Sequence, residues 1–273
     1  MRVKTFGGRI TWLGHAAFLI QSPKLLRIAL DPWIKNNPKF PKGFDWGKVD
    51  VVAASHGHFD HFGEDGIPLL QKTGATFIGI FELALHCGAN GIGKVSGMNK
   101  GGSQKVEGVE FRMVHAVHSA GTSGAGSETN FPSDPCGYVL TFEDGFRIYF
   151  AGDTNVFADM ALIGELYEPD LAILPIGDFY TMGPREAAKA CQLLDVSRVI
   201  PMHWGTAPTL PGTPDALRRE IDRRGLATEV IELVPGQPWP AKSAGRSHEK
   251  DDPFHPGDPD ARYRLGLREH GRR

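Results

Sequence analysis

A dense run of metal-ligating side chains follows a predicted buried strand early in the chain. The apolar stretch 49–54 is followed directly by three histidines and one aspartate: His56, His58, Asp60 and His61. Alternate side chains of an extended chain point the same way, so His56 and His58 can bind one cation. Asp60 and His61 would lie at the bend that follows, within reach of a second cation. The run therefore predicts half of a two-metal site at the end of a strand.

Four residues cannot complete the coordination of two metal ions, so further ligands are expected at strand ends downstream. Three candidates follow apolar strand patterns: His118 after 109–114, Asp153 after 146–150 and His203 after 198–200. A rigid strand that delivers one polar side chain into a loop is a usual way to position a ligand. These side chains would complete the site.

The alternation of side chains gives two further expectations. Phe59, between His58 and Asp60, should turn toward the core. His115 competes with His118 for the third ligand of the first metal ion, because strand residues three positions apart point to opposite faces. His118 is the better candidate because it lies at the end of the strand, which leaves His115 as a core residue or as a partner of a ligand.

The candidate ligands occur in the order of the five motifs of the metallo-beta-lactamase superfamily: an early Asp, HxHxDH, a His, an Asp and a last His. The chain most closely resembles a branch of uncharacterised metal-dependent hydrolases that is similar to ascorbate-6-phosphate lactonase. A more remote resemblance is to N-acylphosphatidylethanolamine phospholipase D. The closer resemblance rests on residues 13–20, 31–33, 152–154, 174–177, 181–184 and 201–206. It spans about residues 1 to 240 and implies an α+β fold, a four-layer αβ/βα sandwich of the metallo-beta-lactamase type.

The resemblance also implies a role for each candidate. The first metal ion would be held by His56, His58 and His118, the second by Asp60, His61 and His203, and Asp153 would bridge the two. Asp31 takes the early Asp position, from which it would brace the HxHxDH loop. From turn chemistry alone, Asp31 followed by Pro32 fits the start of a turn equally well.

The hydrophobic pattern of the chain agrees with two sheets between helical layers. Strands are predicted near 9–12, 17–21, 26–30, 49–54, 76–79, 109–114, 137–142, 146–151, 171–175 and 198–202. Helices are predicted at about 64–72, 81–87, 155–167, 184–194 and 214–224. Thr213 suits the N-cap of the last helix, with Pro214 at its first position and Gly225 at its end.

Two segments differ from the rest in composition. Residues 119–136 are rich in Gly, Ser, Thr and Pro and follow directly on His118. They predict a loop over the metal cleft that acts as a lid, with a plain surface connection as the alternative. Residues 241–273 are charged and contain several prolines, which predicts a polar, poorly ordered tail after a hydrolase domain at 1–240.

Charge and cysteine content limit the partners. With 30 basic against 32 acidic side chains, the net charge of −2 gives no general attraction to nucleic acid. A small-molecule substrate is expected instead. The three cysteines are widely spaced and form no CxxC pair, as expected of reduced thiols in a cytoplasmic protein. No apolar run approaches the length of a membrane span.

The chemistry expected of such a centre is hydrolysis. Two cations roughly 3.5 to 4 Å apart would share a water and lower its pKa toward 7, which yields a hydroxide nucleophile. This favours cleavage of a small ester, lactone or amide bond, with Asp60 as a catalytic acceptor of the water's proton. Zinc is the default metal, and manganese, nickel and iron suit the same ligands. The alternatives are a phosphodiesterase, phospholipase D-like or nuclease-like, and a non-catalytic metal-binding protein.

Further side chains are candidates for contact with substrate. They lie next to predicted strand ends, in or beside the phrases that carry the resemblance: His15, Asp178, Tyr180 and Trp204. Each fits a structural role equally well, because aromatic rings pack in cores and a histidine in an apolar strand is usually a satisfied interior group. A basic loop with Lys35, Lys39 and Lys42 is expected to be solvated rather than to bind an anion.

Overall fold

The computed structural model describes residues 4–121 and 133–240. Its strands are β1 (Arg9–Trp12), β2 (Phe18–Gln21), β3 (Arg27–Leu30), β4 (Val51–Ala53), β5 (Thr76–Ile80), β6 (Val95–Met98), β7 (Ser103–Val106), β8 (Val109–His115), β9 (Cys136–Thr141), β10 (Arg147–Phe150), β11 (Leu171–Pro175), β12 (Arg198–Met202), β13 (Glu229–Val230) and β14 (Pro238–Trp239). Its helices are α1 (Gly63–Thr73), α2 (Phe81–Ala89), α3 (Met160–Tyr167), α4 (Pro184–Leu194) and α5 (Pro214–Arg223).

The strands form two mixed sheets of seven strands each within the described residues. The first sheet has the order β14-β1-β2-β3-β4-β5-β6, and the second has the order β13-β12-β11-β10-β9-β8-β7. Strands β3 to β6 are parallel neighbours, and so are β10 to β13. The remaining neighbours in both sheets are antiparallel.

Successive side chains of a strand point to opposite faces of the sheet, and this places them in two separate cores. In β10 and β11, Ile148, Phe150 and Ile173 face a core shared with the first sheet. Their neighbours Tyr149 and Ala172 face the other way, into a second core with α3, α4 and α5. Helix α2 packs on β5 and β6, and Leu69 and Leu70 of α1 belong to the same first core. The expected α+β sandwich, with two sheets between helical layers, is therefore confirmed.

Several element boundaries differ from expectation. Helix α3 begins at Met160, not near 155, because the Asn155 N–H donates to the Val117 carbonyl and holds that stretch against the end of the second sheet. The short strands β6, β7, β13 and β14 were not predicted, since much of their surface is exposed and they lack an apolar pattern. The Thr213 cap is present, with its side chain accepting from the Ala216 N–H.

Some predictions lie outside the described residues. Most of the predicted lid, at 122–132, and the whole predicted tail, at 241–273, belong to this group. The division of the chain at residue 240 thus stays a prediction. In the described part of the chain, none of the helices has the length and apolar character needed to cross a membrane.

Parallel strand order brings the candidate residues to the same edges. The loops after β3 and β4 leave adjacent parallel strands of the first sheet, and they carry Asp31 and the His56 run. In the second sheet β11 lies between β10 and β12, so the loop after β11 emerges between the segments that carry Asp153 and His203. This arrangement places ligand candidates from both sheets at adjoining strand ends.

Candidate metal centre

Three histidines form the first group of candidate ligands. His56 and His58 follow β4, and His118 follows β8. One ring nitrogen of each lies within 4.8 Å of the others. The closest pair is His56 Nε2 and His58 Nδ1, at 2.9 Å. Three imidazole nitrogens that converge in this way match the geometry required to hold one metal ion.

The second group combines Asp60, His61 and His203, with His15 beside them. One ligand-type atom of each of these four residues lies within 4.8 Å of the others. His61 and His203 are fully buried, whereas Asp60 keeps 18% of its side chain exposed. The fold thus delivers side chains from a loop of the first sheet and from a loop of the second to one place.

Asp153 lies between the two groups. Its Oδ2 atom is 3.2 Å from His61 Nε2, 3.1 Å from His203 Nε2 and 3.5 Å from His118 Nε2. Gly152 makes this position possible, because a Cβ there would meet Ser55 Cβ at 2.5 Å and its φ is +61°. A single carboxylate oxygen therefore faces members of both groups.

Asp31 orients two of the imidazoles. It is fully buried, and its carboxylate accepts from the Ser55 N–H at 2.7 Å, the Ser55 hydroxyl at 2.6 Å and His61 Nδ1 at 2.8 Å. Since the Ser55 hydroxyl donates to Asp31, its oxygen accepts from His56 Nδ1, 2.9 Å away. These contacts hold a proton on Nδ1 of both His56 and His61, so that Nε2 is the atom of each ring that would bind a metal ion once it gives up any proton of its own.

Unpartnered buried atoms supply the test of whether these residues fit a metal ion. Among the described residues, the buried side-chain atoms without a hydrogen-bond partner include His61 Nε2, Asp153 Oδ1 and both ring nitrogens of His203. The Nε2 atoms of His61 and His203 lie near Asp153 but lack the alignment of a hydrogen bond. Buried polar atoms are normally satisfied, so this donor set fits divalent cations.

The charges of the group follow from burial and from mutual contacts. Burial raises the pKa of Asp153, but the neighbouring His203 and His61 outweigh it and hold that pKa well below its ordinary value. Burial lowers the pKa of His61, but Asp153 and Asp31 raise it well above its ordinary value. The pKa of Asp60 is also lowered, because the hydrogen bond from His15 and the charge of His61 outweigh burial. The carboxylates are therefore ionised and ready to bind cations.

Comparison with known proteins is consistent with this geometry. A family model for the beta-lactamase superfamily domain matches residues 9–203. A UPF0173 metal-dependent hydrolase of Solibacter usitatus is 52% identical over 229 residues, which cover 84% of this chain and 98% of the relative. One of Rubrobacter xylanophilus is 45% identical over 232 residues, or 85% and 96% of the two chains. The chain belongs to the UPF0173 metal-dependent hydrolase family.

Solved structures share the fold of this UPF0173 family member. The metallo hydrolase Igni18 of Ignicoccus hospitalis is 33% identical, with a TM-score of 0.74, over 85% of this chain and 97% of its own. An isothiocyanate hydrolase from Delia radicum gut bacteria has a TM-score of 0.66 over 84% of this chain and 98% of its own. At 17% identity, the second likeness shows the fold alone.

Two of the predicted substrate contacts, His15 and Trp204, have close partners within this UPF0173 structure. His15 is buried, and its ring nitrogens lie 2.6 Å from Thr206 Oγ1 and 3.1 Å from Asp60 Oδ2. Both nitrogens are thus occupied within the protein. Trp204 stacks on Trp12 with a centroid distance of 5.5 Å, and Lys39 Nζ lies 3.5 Å from the centroid of its ring. These contacts give His15 and Trp204 structural partners, and their contact with substrate stays a prediction.

The other predicted contacts lie on an accessible loop after β11. Tyr180 is 59% exposed, and Asp178 and Phe179 both have positive φ, at 67° and 55°. The Met182 N–H donates to the Thr154 carbonyl, which anchors the loop next to Asp153. Non-glycine residues in this strained region cluster at functional sites. The substrate roles of Asp178 and Tyr180 stay predictions.

Phe59 and His115 are both exposed, contrary to the prediction from sequence. Phe59 is 53% exposed and does not turn toward the core, because β4 ends at Ala53 and the alternation of a strand no longer applies. His115 is exposed and packs near the Phe157 ring, 5.2 Å between centroids. His118, in contrast, points at Asp153.

Two hydroxyl residues at the centre were missed from sequence. Ser55 joins Asp31 to His56, and Thr206 contacts His15. The only signal for Ser55 was its place directly before His56, together with the rule that a metal-bound imidazole needs an oriented partner. Thr206 lay in a phrase shared with the family, but nothing local linked it to His15.

Proposed function

We propose that this metal-dependent hydrolase holds two divalent metal ions, with zinc as the first choice, and cleaves a small ester, lactone or amide. The observation that supports two ions is the Asp153 carboxylate, whose Oδ2 faces His118 of one group and His61 and His203 of the other. When bound, such ions supply Lewis acidity, which lowers the pKa of water and stabilises negative charge on a carbonyl oxygen.

In this proposal each side chain of the centre has a defined task. The ligands are His56, His58 and His118 for one ion, Asp60, His61 and His203 for the other, and Asp153 for both. Asp31 fixes the rings of the HxHxDH loop through Ser55 and His61. The Asp60 carboxylate is ionised at neutral pH and accepts a proton from the attacking water, as a transient acceptor because its pKa is low.

The substrate would be bound beside the loop after β11. This loop emerges between the strands that lead to Asp153 and His203. It presents Phe179, 69% exposed, and Tyr180, with ring centroids 4.7 Å apart. Exposed aromatic rings at the mouth of a polar site suit the apolar part of an ester or amide, while Asp178 offers a hydrogen-bond acceptor. The lactone preference rests on the resemblance to the lactonase branch.

The test is a metal-dependent activity screen. Purified protein is treated with chelator, reloaded with zinc or manganese, and assayed on lactones, aryl esters, anilides and a phosphodiester. We expect turnover of an ester, lactone or amide that chelator abolishes and metal restores. Turnover of the phosphodiester alone, or activity that chelator leaves unchanged, would overturn the proposal.

A matched pair of variants ties the activity to the ligands. His118→Ala removes an imidazole that faces Asp153, whereas His115→Ala removes an exposed imidazole three positions earlier on the same segment. We expect the first variant to lose bound metal and turnover together, and the second to keep both. Equal behaviour of the two variants would contradict the ligand assignment.

The proton-acceptor role of Asp60 has its own test. Asp60→Asn keeps the size of the side chain and removes its charge. If Asp60 accepts the proton, turnover falls by more than metal occupancy, which is measured by elemental analysis of the same sample. Equal losses of turnover and occupancy would reduce Asp60 to a ligand.

A further inference from the structure

His15 occupies a strained position at a tight turn. It lies between β1 and β2, where the Leu13 N–H donates to the Ala17 carbonyl at 2.8 Å. Its φ is +54°, a region that most non-glycine residues avoid. Only 3% of the residue is exposed. A buried histidine held in this conformation suggests a role in the site, because strained residues of this kind cluster where function requires them.

The contacts of the His15 ring fix its protonation. Nε2 lies 3.1 Å from Asp60 Oδ2, and Nδ1 lies 2.6 Å from Thr206 Oγ1. An ionised carboxylate only accepts, so Nε2 donates to Asp60, and the neutral ring then accepts the Thr206 hydroxyl proton at Nδ1. No lone pair remains for a metal ion. His15 is therefore outside the ligand set, although it lies among the ligands.

His15 also contacts the last histidine of the centre. The backbone N–H of His203 donates to the backbone carbonyl of His15 at 3.0 Å, and the centroids of the two imidazole rings are 3.7 Å apart. Neither ring nitrogen of His203 has a hydrogen-bond partner in the described residues. Packing against His15 is thus one of the few contacts that fix the direction of the His203 ring. The Trp33 ring packs on His15 from another side, with 4.9 Å between the ring centroids and 75° between the ring planes.

We propose that His15 is a positioning residue that sets the Asp60 carboxylate and the His203 ring for the second metal ion. The proposal rests on the two-metal function above. Asp31 and Ser55 orient His61 and His56 by hydrogen bonds, whereas Thr206 and His15 form a separate series of hydrogen bonds that ends on Asp60. Loss of His15 should therefore affect the second ion more than the first.

A matched pair of variants separates the hydrogen bond from the filling of space. His15→Gln keeps an N–H donor that can reach Asp60, whereas His15→Leu is of similar size and has none. Both replacements meet the same positive φ, so the conformational strain is common to the pair. A difference between the two variants therefore reports the donor.

The first measurement is metal binding without turnover. Metal-free wild type and both variants are dialysed against Zn(II), and against Co(II) with absorption and paramagnetic resonance spectra. We expect His15→Leu to keep the first equivalent and to bind the second about 10- to 100-fold more weakly, as for other residues that orient ligands. We expect His15→Gln to restore much of the affinity for the second equivalent. We also expect it to show the spectrum of two neighbouring Co(II) ions that wild type shows. Two wild-type equivalents in His15→Leu would overturn the proposal.

The second measurement needs no metal ion. Long-range nitrogen–proton NMR spectra of metal-free protein with labelled histidine distinguish the ring tautomers, and the signals that vanish in His15→Gln assign the residue. We expect the His15 proton on Nε2. A proton on Nδ1 would overturn the proposed donation to Asp60.

The outcomes separate this proposal from the two-metal function. Wild type that binds a single equivalent, with the His15 proton on Nε2, refutes the two-metal centre and leaves the hydrogen bond to Asp60 supported. Wild type that binds two equivalents, with His15→Leu unchanged, refutes the role of His15 and leaves the two-metal centre supported.

Discussion

The Asp31→Asn substitution is the sharpest test of how the centre is oriented. It conserves shape at a fully buried position that accepts three hydrogen bonds, from the Ser55 N–H, the Ser55 hydroxyl and His61 Nδ1. One amide oxygen can still accept from the Ser55 N–H. The amide nitrogen then faces His61 Nδ1, so two donors meet unless His61 moves its proton to Nε2. Either result disturbs His61 Nε2, the atom that faces Asp153, because the ring is displaced or Nε2 carries the proton and cannot bind a metal ion.

The expected size of the effect follows from these contacts. Removal of one partner from a buried charged pair costs about 3–5 kcal/mol. We take about 3 kcal/mol, because one of the three hydrogen bonds survives in the variant. For a chain of this size each kcal/mol lowers Tm by about 2–4 °C, which gives a fall of about 6–12 °C for metal-free protein. Metal affinity should fall about 10- to 100-fold, because Asp31 orients a ligand.

The assay is calorimetry of metal-free protein together with zinc binding. Asp215→Asn is the matched control, since the Asp215 side chain is 75% exposed and forms its ion pair with the partly exposed Arg218. That control should change the unfolding free energy by less than about 0.5 kcal/mol. A Tm within about 2 °C of wild type and an unchanged zinc affinity in Asp31→Asn would refute the orienting role of Asp31.

Three other predictions follow from the same geometry. Gly152→Ala places a Cβ against Ser55 at a φ of +61°, so Tm and zinc affinity should both fall, and a variant with wild-type values of both would contradict the need for glycine there. Burial, with His203 adding to it, lowers the pKa of His15 from 6.5 to about 4, so its contribution to stability is complete above pH 6.5 and is lost as the pH falls toward 4. The unfolding free energy of metal-free protein, measured with urea, should therefore fall more between pH 6.5 and 4 in wild type than in His15→Gln. An equal fall in both proteins would exclude the lowered pKa of His15. Tyr180→Ala should raise KM several-fold with metal content unchanged, whereas loss of metal would show that Tyr180 supports the fold.

The residues proposed as ligands could be picked out from the sequence because each one depends on short-range signals, and the structure brings them together. His118, Asp153 and His203 each follow an apolar strand, and these strands, β8, β10 and β12, run in the same direction, so that they end at one edge of the second sheet. The HxHxDH run carries its own spacing. The order of these motifs was enough to identify the superfamily, and with it the sandwich of two sheets.

Apart from Asp31, which the resemblance implied, the side chains proposed to orient the ligands could not be predicted in the same way. His15 contacts Asp60, 45 positions away, and Thr206, 191 positions away. Contacts at such sequence separations produce no recognisable local sequence pattern. Phe59 was misplaced for a related reason, since period-two alternation was applied to a segment where the strand had already ended. Non-local hydrogen bonds and chain turns therefore limit what sequence alone can give at this centre.

The division of the ligands between the two sheets has a consequence for folding. The loop after β4 supplies His56, His58, Asp60 and His61 from the first sheet, whereas His118, Asp153 and His203 come from the second. Ions held by these proposed ligands would stabilise the contact of the sheets as well as the loops, because the sites do not exist in the unfolded chain. At a free metal concentration 1,000 times the Kd, one site adds about 4 kcal/mol to the unfolding free energy. Zinc should therefore raise Tm in wild type, and it should do so much less in His118→Ala, which lacks a ligand from the second sheet. An equal rise in both proteins would mean that zinc binds elsewhere.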